Sequence, residues 1–296
     1  MYKNFYIKDL DFYYRLDNSN DNLSKRKKVN ELLISNFDLE KQELFYFIKK
    51  KEFKDDYFEK IRSPIRYPGS KFQALNIIHK YINNLQYSEY IEPFFGGGAF
   101  YFAAPQANRS ILNDNDYDLI NFYKTIQNPI NREKLIKKVS KFIPNKDNFY
   151  NLKNKKPLNN FDNACKFFII NRTCYSGIMK NANWGYDDQR SLQPHKWSER
   201  LRICGEKLEN TDIFNLDFRL IFDKINKKNT SCFAFIDPPY FHADQKRAYV
   251  KSFELKDHKD LSEILRNIKV KFLLTYDNCE EIKNLYSWAN VYEETW

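Results

Sequence analysis

No apolar run in this 296-residue chain approaches the roughly 18 to 20 residues of a membrane span. The opening MYKNFYIKDLDFYYR also lacks the apolar middle of a signal peptide. A soluble, cytoplasmic protein is expected. The five cysteines (Cys165, Cys174, Cys204, Cys232, Cys279) are odd in number and none stands at CxxC spacing. That argues against a disulfide framework and predicts reduced, buried thiols. The four histidines (His79, His195, His242, His258) make no HExxH or other paired ligand pattern, so no metal site is expected. A hydrophobic share of 42%, with 17% aromatics, argues against disorder. The length allows a sizeable core and an insertion, up to two domains.

The chain does have an excess of positive charge. A net charge of +10 and a pI near 9.1 favour a polyanionic partner, although Lys, Asn, Ile, Tyr and Phe are all abundant, as an A+T-rich coding sequence would produce.

Two stretches carry the chemistry. In the first, AFIDPPY over residues 234–240, the apolar run CFAFI from Cys232 to Ile236 fits a strand buried on both faces. Neither Pro238 nor Pro239 can extend it, so the chain must turn at Asp237. An acid, a proline carbonyl and the Tyr240 ring are thereby left at the carboxyl end of a strand, where ligands bind in open α/β sheets. Taken alone, the same letters also describe an ordinary strand stop with a surface Asp. In the second, YIEPFFGGGAF over residues 90–100, a short strand runs into three consecutive glycines. Glycine permits a tight turn and close backbone approach to a ligand. The spacing is Phe94-x-Gly96-x-Gly98 and not GxGxxG, which fits a phosphate cradle poorly.

A strand ending in FxGxG and a later strand ending in DPPY together resemble the Dam-like DNA adenine-N6 methyltransferases. The resemblance runs from about Pro64 to Trp296. It implies an α/β, Rossmann-like S-adenosylmethionine-dependent methyltransferase fold: a mostly parallel, seven-stranded, doubly wound sheet with an antiparallel strand, plus a small, mainly helical recognition insertion. The alternation of strand and helix patterns along the chain fits such a sheet. By domain, residues 63–127 and 200–296 form the catalytic part and 128–199 the target-recognition insertion.

The resemblance also assigns residues. RSPIRYPGSK (62–71) is similar to the family's opening turn. Tyr67 there offers an aromatic face to a sulfonium cation, and Lys71 a charge to the methionine carboxylate. Glu92, Pro93, Phe94, Gly96 and Gly98 line the cofactor pocket. Asp114, at the end of SILND, stands where an acid accepts the ribose hydroxyls, with a solvated helix start at Asp116 and Asp118 as the competing reading. Asp217 takes the cofactor's adenine amine, with Phe218 beside the ring and a third strand over 213–218. NRTCYSG (171–177) resembles the segment ahead of the recognition region. Arg172, Lys180, Arg190 and Lys196 are candidates for DNA contact, and Trp184 and Tyr186 for stacking.

The N-terminal part holds one displaced feature. KKVNELLISN (27–36) is similar to the strand with which Dam-like chains end. Residues 1–62 are therefore expected to form an N-terminal segment in which 27–37 supply a circularly permuted terminal strand, with a linker helix to about residue 52. The competing reading is an unrelated extension and a shortened carboxyl end. The basic run at 25–28 reads as a solvated tip or a phosphate contact.

The activity implied is methyl transfer from S-adenosylmethionine to the N6 amine of adenine in double-stranded DNA after base flipping. Asp237, Pro238, Pro239 and Tyr240 would be the catalytic set. A cognate restriction endonuclease is a further partner, and the setting is the cytoplasm of a prokaryote or of a viral or mobile-element host. Other acceptors (cytosine N4, RNA adenine, a protein amide) and a catalytically silent nucleic-acid-binding relative are the alternatives.

Overall fold

The computed structural model describes residues 30–38, 61–82, 85–242 and 253–295. The basic run at 25–28 and the expected linker helix to about residue 52 lie outside them.

Seven strands make one sheet: β1 (Asn30–Ser35), β2 (Glu89–Glu92), β3 (Arg109–Asn113), β4 (Thr211–Phe214), β5 (Cys232–Ile236), β6 (Lys271–Asp277) and β7 (Asn290–Thr295), in the order β4-β3-β2-β5-β6-β1-β7. Strands β4 through β6 in that order pair in parallel. Strand β1 alone runs against its neighbours, pairing antiparallel with β6 and with β7. The first described strand of the chain thus separates the last two.

Continuous apolar strands are explained by a core on each face of the sheet. Successive side chains of a strand point to opposite faces. Phe233 and Phe235 of β5, with Leu273 of β6, enter one apolar cluster. Cys232, Ala234 and Ile236, with Phe272 and Leu274, enter the other. Strand β1 follows the same rule, giving Leu33 to the first cluster and Leu32 and Ile34 to the second.

The helices cover both faces. Among the described residues they are α1 (Leu75–Ile82), α2 (Ala99–Ala103), α3 (Tyr117–Gln127), α4 (Pro129–Val139), α5 (Lys146–Asn154), α6 (Asn160–Thr173), α7 (Trp197–Leu208), α8 (Phe218–Lys224), α9 (Leu255–Arg266) and α10 (Glu280–Leu285). In α1, Leu75, Ile78 and Ile82 are buried at helical spacing. The Asn-rich stretch after residue 127 owes its helices to caps: Asn128, Asn145 and Asn159 each accept a backbone N–H of the following turn at 2.8 to 3.0 Å. Each such cap contributes about 1 kcal/mol.

Residues 128–199 have no core of their own beyond a small cluster of Phe149, Ile170, Cys174 and Ala182. Their other apolar residues join the larger core, where Phe168 of α6 stacks on Phe122 of α3 at 5.6 Å and meets Trp197 edge-on at 5.4 Å. Such packing ties residues 128–199 to the main core. One boundary differs from the sequence reading. The strand expected over 213–218 is Thr211–Phe214, and Asp217 begins α8 because its carboxylate caps the Arg219 N–H at 3.0 Å.

Candidate active site

The two motif corners lie on neighbouring strands. After β2 the chain turns at residues 96–98, where Gly96 and Gly98 take φ of 47° and 62°, left-handed values that disfavour a side chain. Helix α2 starts at once, and its Phe100 ring stacks on Phe235 of β5 at 4.2 Å. That contact locks the glycine bend to the strand that delivers Asp237. Both corners open onto one cavity of about 310 Å3, which runs from Asp114, Asp217 and Phe218 past residues 96–98 to Lys71 and Asp237.

At the first end, Asp114 accepts the Gly96 N–H at 2.8 Å and the Asp116 N–H at 2.9 Å. Burial nevertheless pushes its carboxyl up to about 6. Phe94, Phe218 and Phe253 form an aromatic wall, with ring centroids 5.3 to 5.6 Å apart. Beside it Arg219 binds Asp217 with Nη1 and reaches Asp257 and Asp260 with Nη2. Asn113 ties three strand ends together, donating to the Pro93 and Leu216 carbonyls at 3.0 Å and accepting the Leu216 N–H at 2.9 Å. Glu92 is buried midway, with the Tyr90 hydroxyl 2.6 Å from Oε2. Its burial, together with the negative charge of Asp237 and Asp114, holds it well above the usual carboxylate range.

At the other end, Asp237 is held by Thr275 Oγ1 at 2.7 Å and by Lys71 Nζ at 2.7 and 2.9 Å from its two oxygens. Lys71, expected at the methionine carboxylate, lines the cavity and pairs with the acid of the DPPY corner. It also donates to the Gly69 carbonyl and stands 4.7 Å from the centre of the Tyr240 ring. The Tyr240 hydroxyl donates to Glu31, a residue of β1. Asp277 accepts the backbone N–H groups of Phe241 and His242 at 2.9 and 2.8 Å, fixing the chain just beyond the DPPY corner.

The residue-scale outcome is uneven. Tyr67, Lys71, Glu92, Pro93, Phe94, Gly96, Gly98, Asp114, Lys180, Asp217, Phe218, Asp237 and Pro239 all line the cavity. Pro238 is buried behind it, and Tyr240 stands beside Lys71. Of the DNA-contact candidates, Lys180, Arg190 and Lys196 are exposed, and Arg190 faces Asp187 at 3.6 Å. Arg172 is a correction: it is 8% exposed and not on the surface, because α6 turns it inward. Burial first, and then the charges of Arg66 and Arg200, lower its pKa to about 9. Trp184 and Tyr186 pack on each other at 5.9 Å, and Trp184 meets Phe149, so these rings pack within residues 128–199. Among the described residues, His242, Cys279 and Glu281 are the one group whose donor atoms gather within 4.8 Å, where the sequence pattern suggested no metal ligands.

Glu31, Asn113, Arg219, Phe253, Asp257, Thr275 and Asp277 were not singled out from sequence. Asn113 sits next to Asp114 and Asp277 ends an apolar strand as Asp237 does, so local signals existed for these two. Glu31 gave none beyond its place in ELLIS.

A glycine bend and an acid-Pro-Pro-Tyr corner sharing one cavity is the arrangement that decides the family. The model of the D12 class N6 adenine-specific DNA methyltransferases matches residues 67–296. The chain belongs to that family. It is an adenine-specific DNA methyltransferase. It is 29% identical over 229 residues to the type II methyltransferase M.CviBI of Paramecium bursaria Chlorella virus NC1A, covering 75% of this chain and 85% of that protein. M.MjaIII of Methanocaldococcus jannaschii, also named a type II methyltransferase, is 27% identical over 199 residues, or 60% of this chain and 68% of that one. The DNA N-6-adenine-methyltransferase of Escherichia phage P1 is 26% identical over 243 residues, which are 76% of this chain and 31% of that longer protein. In this D12 methyltransferase β1, with Glu31, precedes the matched region.

Proposed function

We propose that this methyltransferase moves a methyl group from S-adenosylmethionine to the N6 amine of an adenine flipped out of double-stranded DNA, at specific sites. The observation that carries the reading is the single cavity joining the glycine bend to Asp237.

The cavity suits a nucleoside that also bears a cation. Six acids line it (Glu92, Asp114, Asp116, Asp217, Asp237, Asp257), beside the Phe94 and Phe218 rings. Asp114 would accept the ribose hydroxyls, Asp217 the adenine amine, and Tyr67 would face the sulfonium. When bound, the cofactor supplies an electrophilic methyl group. The protein's part is to present the acceptor. An amine conjugated with a purine is a poor nucleophile, and the Asp237 carboxylate and Pro238 carbonyl can hold its hydrogens so that the lone pair points out of the ring plane. Pro239 has no N–H to compete for that carbonyl. Thr275 and Lys71 fix the carboxylate beforehand, so catalysis rests on orientation and preset charge.

A base stacked in a duplex cannot enter this cavity, which requires flipping, with Tyr240 beside the extruded base. Lys180 at the cavity, with Arg190 and Lys196 on the irregular segment, would meet the DNA backbone. Residues 128–199 would form the recognition insertion. Strand β1, lying between β6 and β7, is read as the family's terminal strand supplied from the N-terminal side. The type II names of two relatives extend the proposal to a companion restriction endonuclease.

Incubation with methyl-tritiated S-adenosylmethionine and unmethylated DNA, followed by nucleoside analysis, should place the label on N6-methyl-2′-deoxyadenosine. Asp237→Ala should still bind cofactor yet transfer no methyl groups. Label on cytosine, or normal turnover in that variant, overturns the assignment.

A further inference from the structure

Strand β1 precedes the region shared with the family, yet it reaches the catalytic corner. Glu31 is 1% exposed. Its Oε2 lies 4.0 Å from Lys71 Nζ and accepts the Tyr240 hydroxyl. Lys71 in turn holds both oxygens of Asp237 at 2.7 and 2.9 Å and faces the Tyr240 ring. Two carboxylates from different strands therefore flank one buried ammonium, and the catalytic tyrosine is anchored on the farther of them.

We infer that Glu31 is a positioning residue for methyl transfer: it draws the Lys71 charge away from Asp237 and fixes Tyr240 for the flipped base. The physical need is definite. Asp237 must accept an amine hydrogen, while Thr275 and Lys71 already occupy its oxygens. An ammonium seated wholly on Asp237 would weaken it as an acceptor. A second carboxylate on the opposite side gives Lys71 somewhere to lean when the amine arrives. Because both carboxylates and the ammonium are largely out of water, their mutual pull is screened far less than at a surface. Glu31 itself touches neither cofactor nor base in this scheme; it acts through Lys71 and Tyr240.

The inference rests on Asp237 as the amine acceptor, which the Asp237→Ala assay tests separately. Glu31→Gln keeps the shape and the bond from Tyr240 but removes the charge. It is expected to lower kcat by about 10- to 100-fold, in the range seen when one preset polar contact is lost, with the KM for S-adenosylmethionine and the melting temperature close to wild type. Glu31→Asp, which keeps the charge, should recover most of that loss. In a double-mutant cycle, Glu31→Gln should add little to Lys71→Met, since both act through the same ammonium. If Glu31→Gln does not fold, Tyr240→Phe replaces it in the cycle, removing the other partner of the Glu31 carboxylate, and the same lack of additivity with Lys71→Met is expected. An unchanged kcat in a folded Glu31→Gln enzyme, or full additivity with Lys71→Met in either cycle, overturns the inference.

Discussion

Adding one methyl group at Gly98 should damage the fold, while the same change two residues earlier should damage the cofactor pocket. At Gly98 a Cβ would lie 2.5 Å from two atoms of the Phe95 ring and 3.0 Å from Phe102, with φ at +62°. Both rings are buried, at 2% and 0% exposure, so neither can swing aside. Left-handed backbone at a non-glycine residue costs about 1 to 2 kcal/mol, and overpacking a filled core about 1 to 3 more. Gly98→Ala should therefore lose roughly 2 to 5 kcal/mol, a fall in Tm of about 3 to 8 °C for a chain of this size.

At Gly96 the added atom would meet Tyr67 Cε1 at 2.8 Å with φ at +47°. Tyr67 is half-buried and lines the cavity, so its ring can yield, but only by moving in the pocket. Gly96→Ala should lose about 1 to 2 kcal/mol of stability from backbone strain and weaken cofactor binding by roughly tenfold, equivalent to about 1.4 kcal/mol. Thermal unfolding followed by circular dichroism, and calorimetric titration with S-adenosylmethionine, separate the two effects. A Gly98→Ala protein melting within about 1 °C of wild type would refute the packing argument, and an unaltered cofactor Kd in Gly96→Ala would refute the role given to Tyr67.

Other outcomes can be stated as firmly. The Asp114 carboxyl titrates near 6 in the fold, raised by burial from 3.8. A diol donating to it needs the ionised form, so S-adenosylmethionine affinity should be full above that pH and fall as the pH drops through it. The linkage runs the opposite way for folding, where this carboxyl contributes least above pH 6. Titrations between pH 5 and 8 check this, and Asp114→Asn should flatten the acidic limb. Arg219→Ala removes the cation shared by Asp217, Asp257 and Asp260. Being partly exposed, the group should cost only about 1 kcal/mol of stability, yet cofactor affinity should drop. Arg219→Lys should not restore that affinity, because an ammonium lacks the guanidinium's fork. Lys207 is buried and donates to the Phe102 and Ala104 carbonyls at 3.1 and 2.6 Å, closing the end of α2. Lys207→Met should lower stability by about 1 to 3 kcal/mol in a denaturant titration, as for carbonyls left without a donor.

The sheet and its ligand-binding end were legible because they depend on local rules. Five consecutive apolar residues before two prolines, or a short strand before three glycines, constrain the backbone whatever lies around them. The same rules place Asp237, Gly96, Gly98 and Asp114 at strand ends. They do not say which charge meets which. Lys71 read as a partner for the cofactor because its turn resembles a cofactor turn, and its ion pair with Asp237, 166 residues away, came only with the fold. Arg172 read as a DNA contact because it is basic, and the packing of α6 turns it inward.

The amino-acid order alone determined that two strand ends would carry an acid and a flexible bend, since proline and glycine act on their own backbone. That those ends share one chamber, that an N-terminal strand enters between the last two, and that Glu31 thereby reaches Lys71 and Tyr240 were decided by tertiary structure. The physical reason is distance along the chain: Glu31 and Tyr240 are 209 residues apart, and only the burial of apolar side chains on both faces of a shared sheet brings such partners within a hydrogen bond.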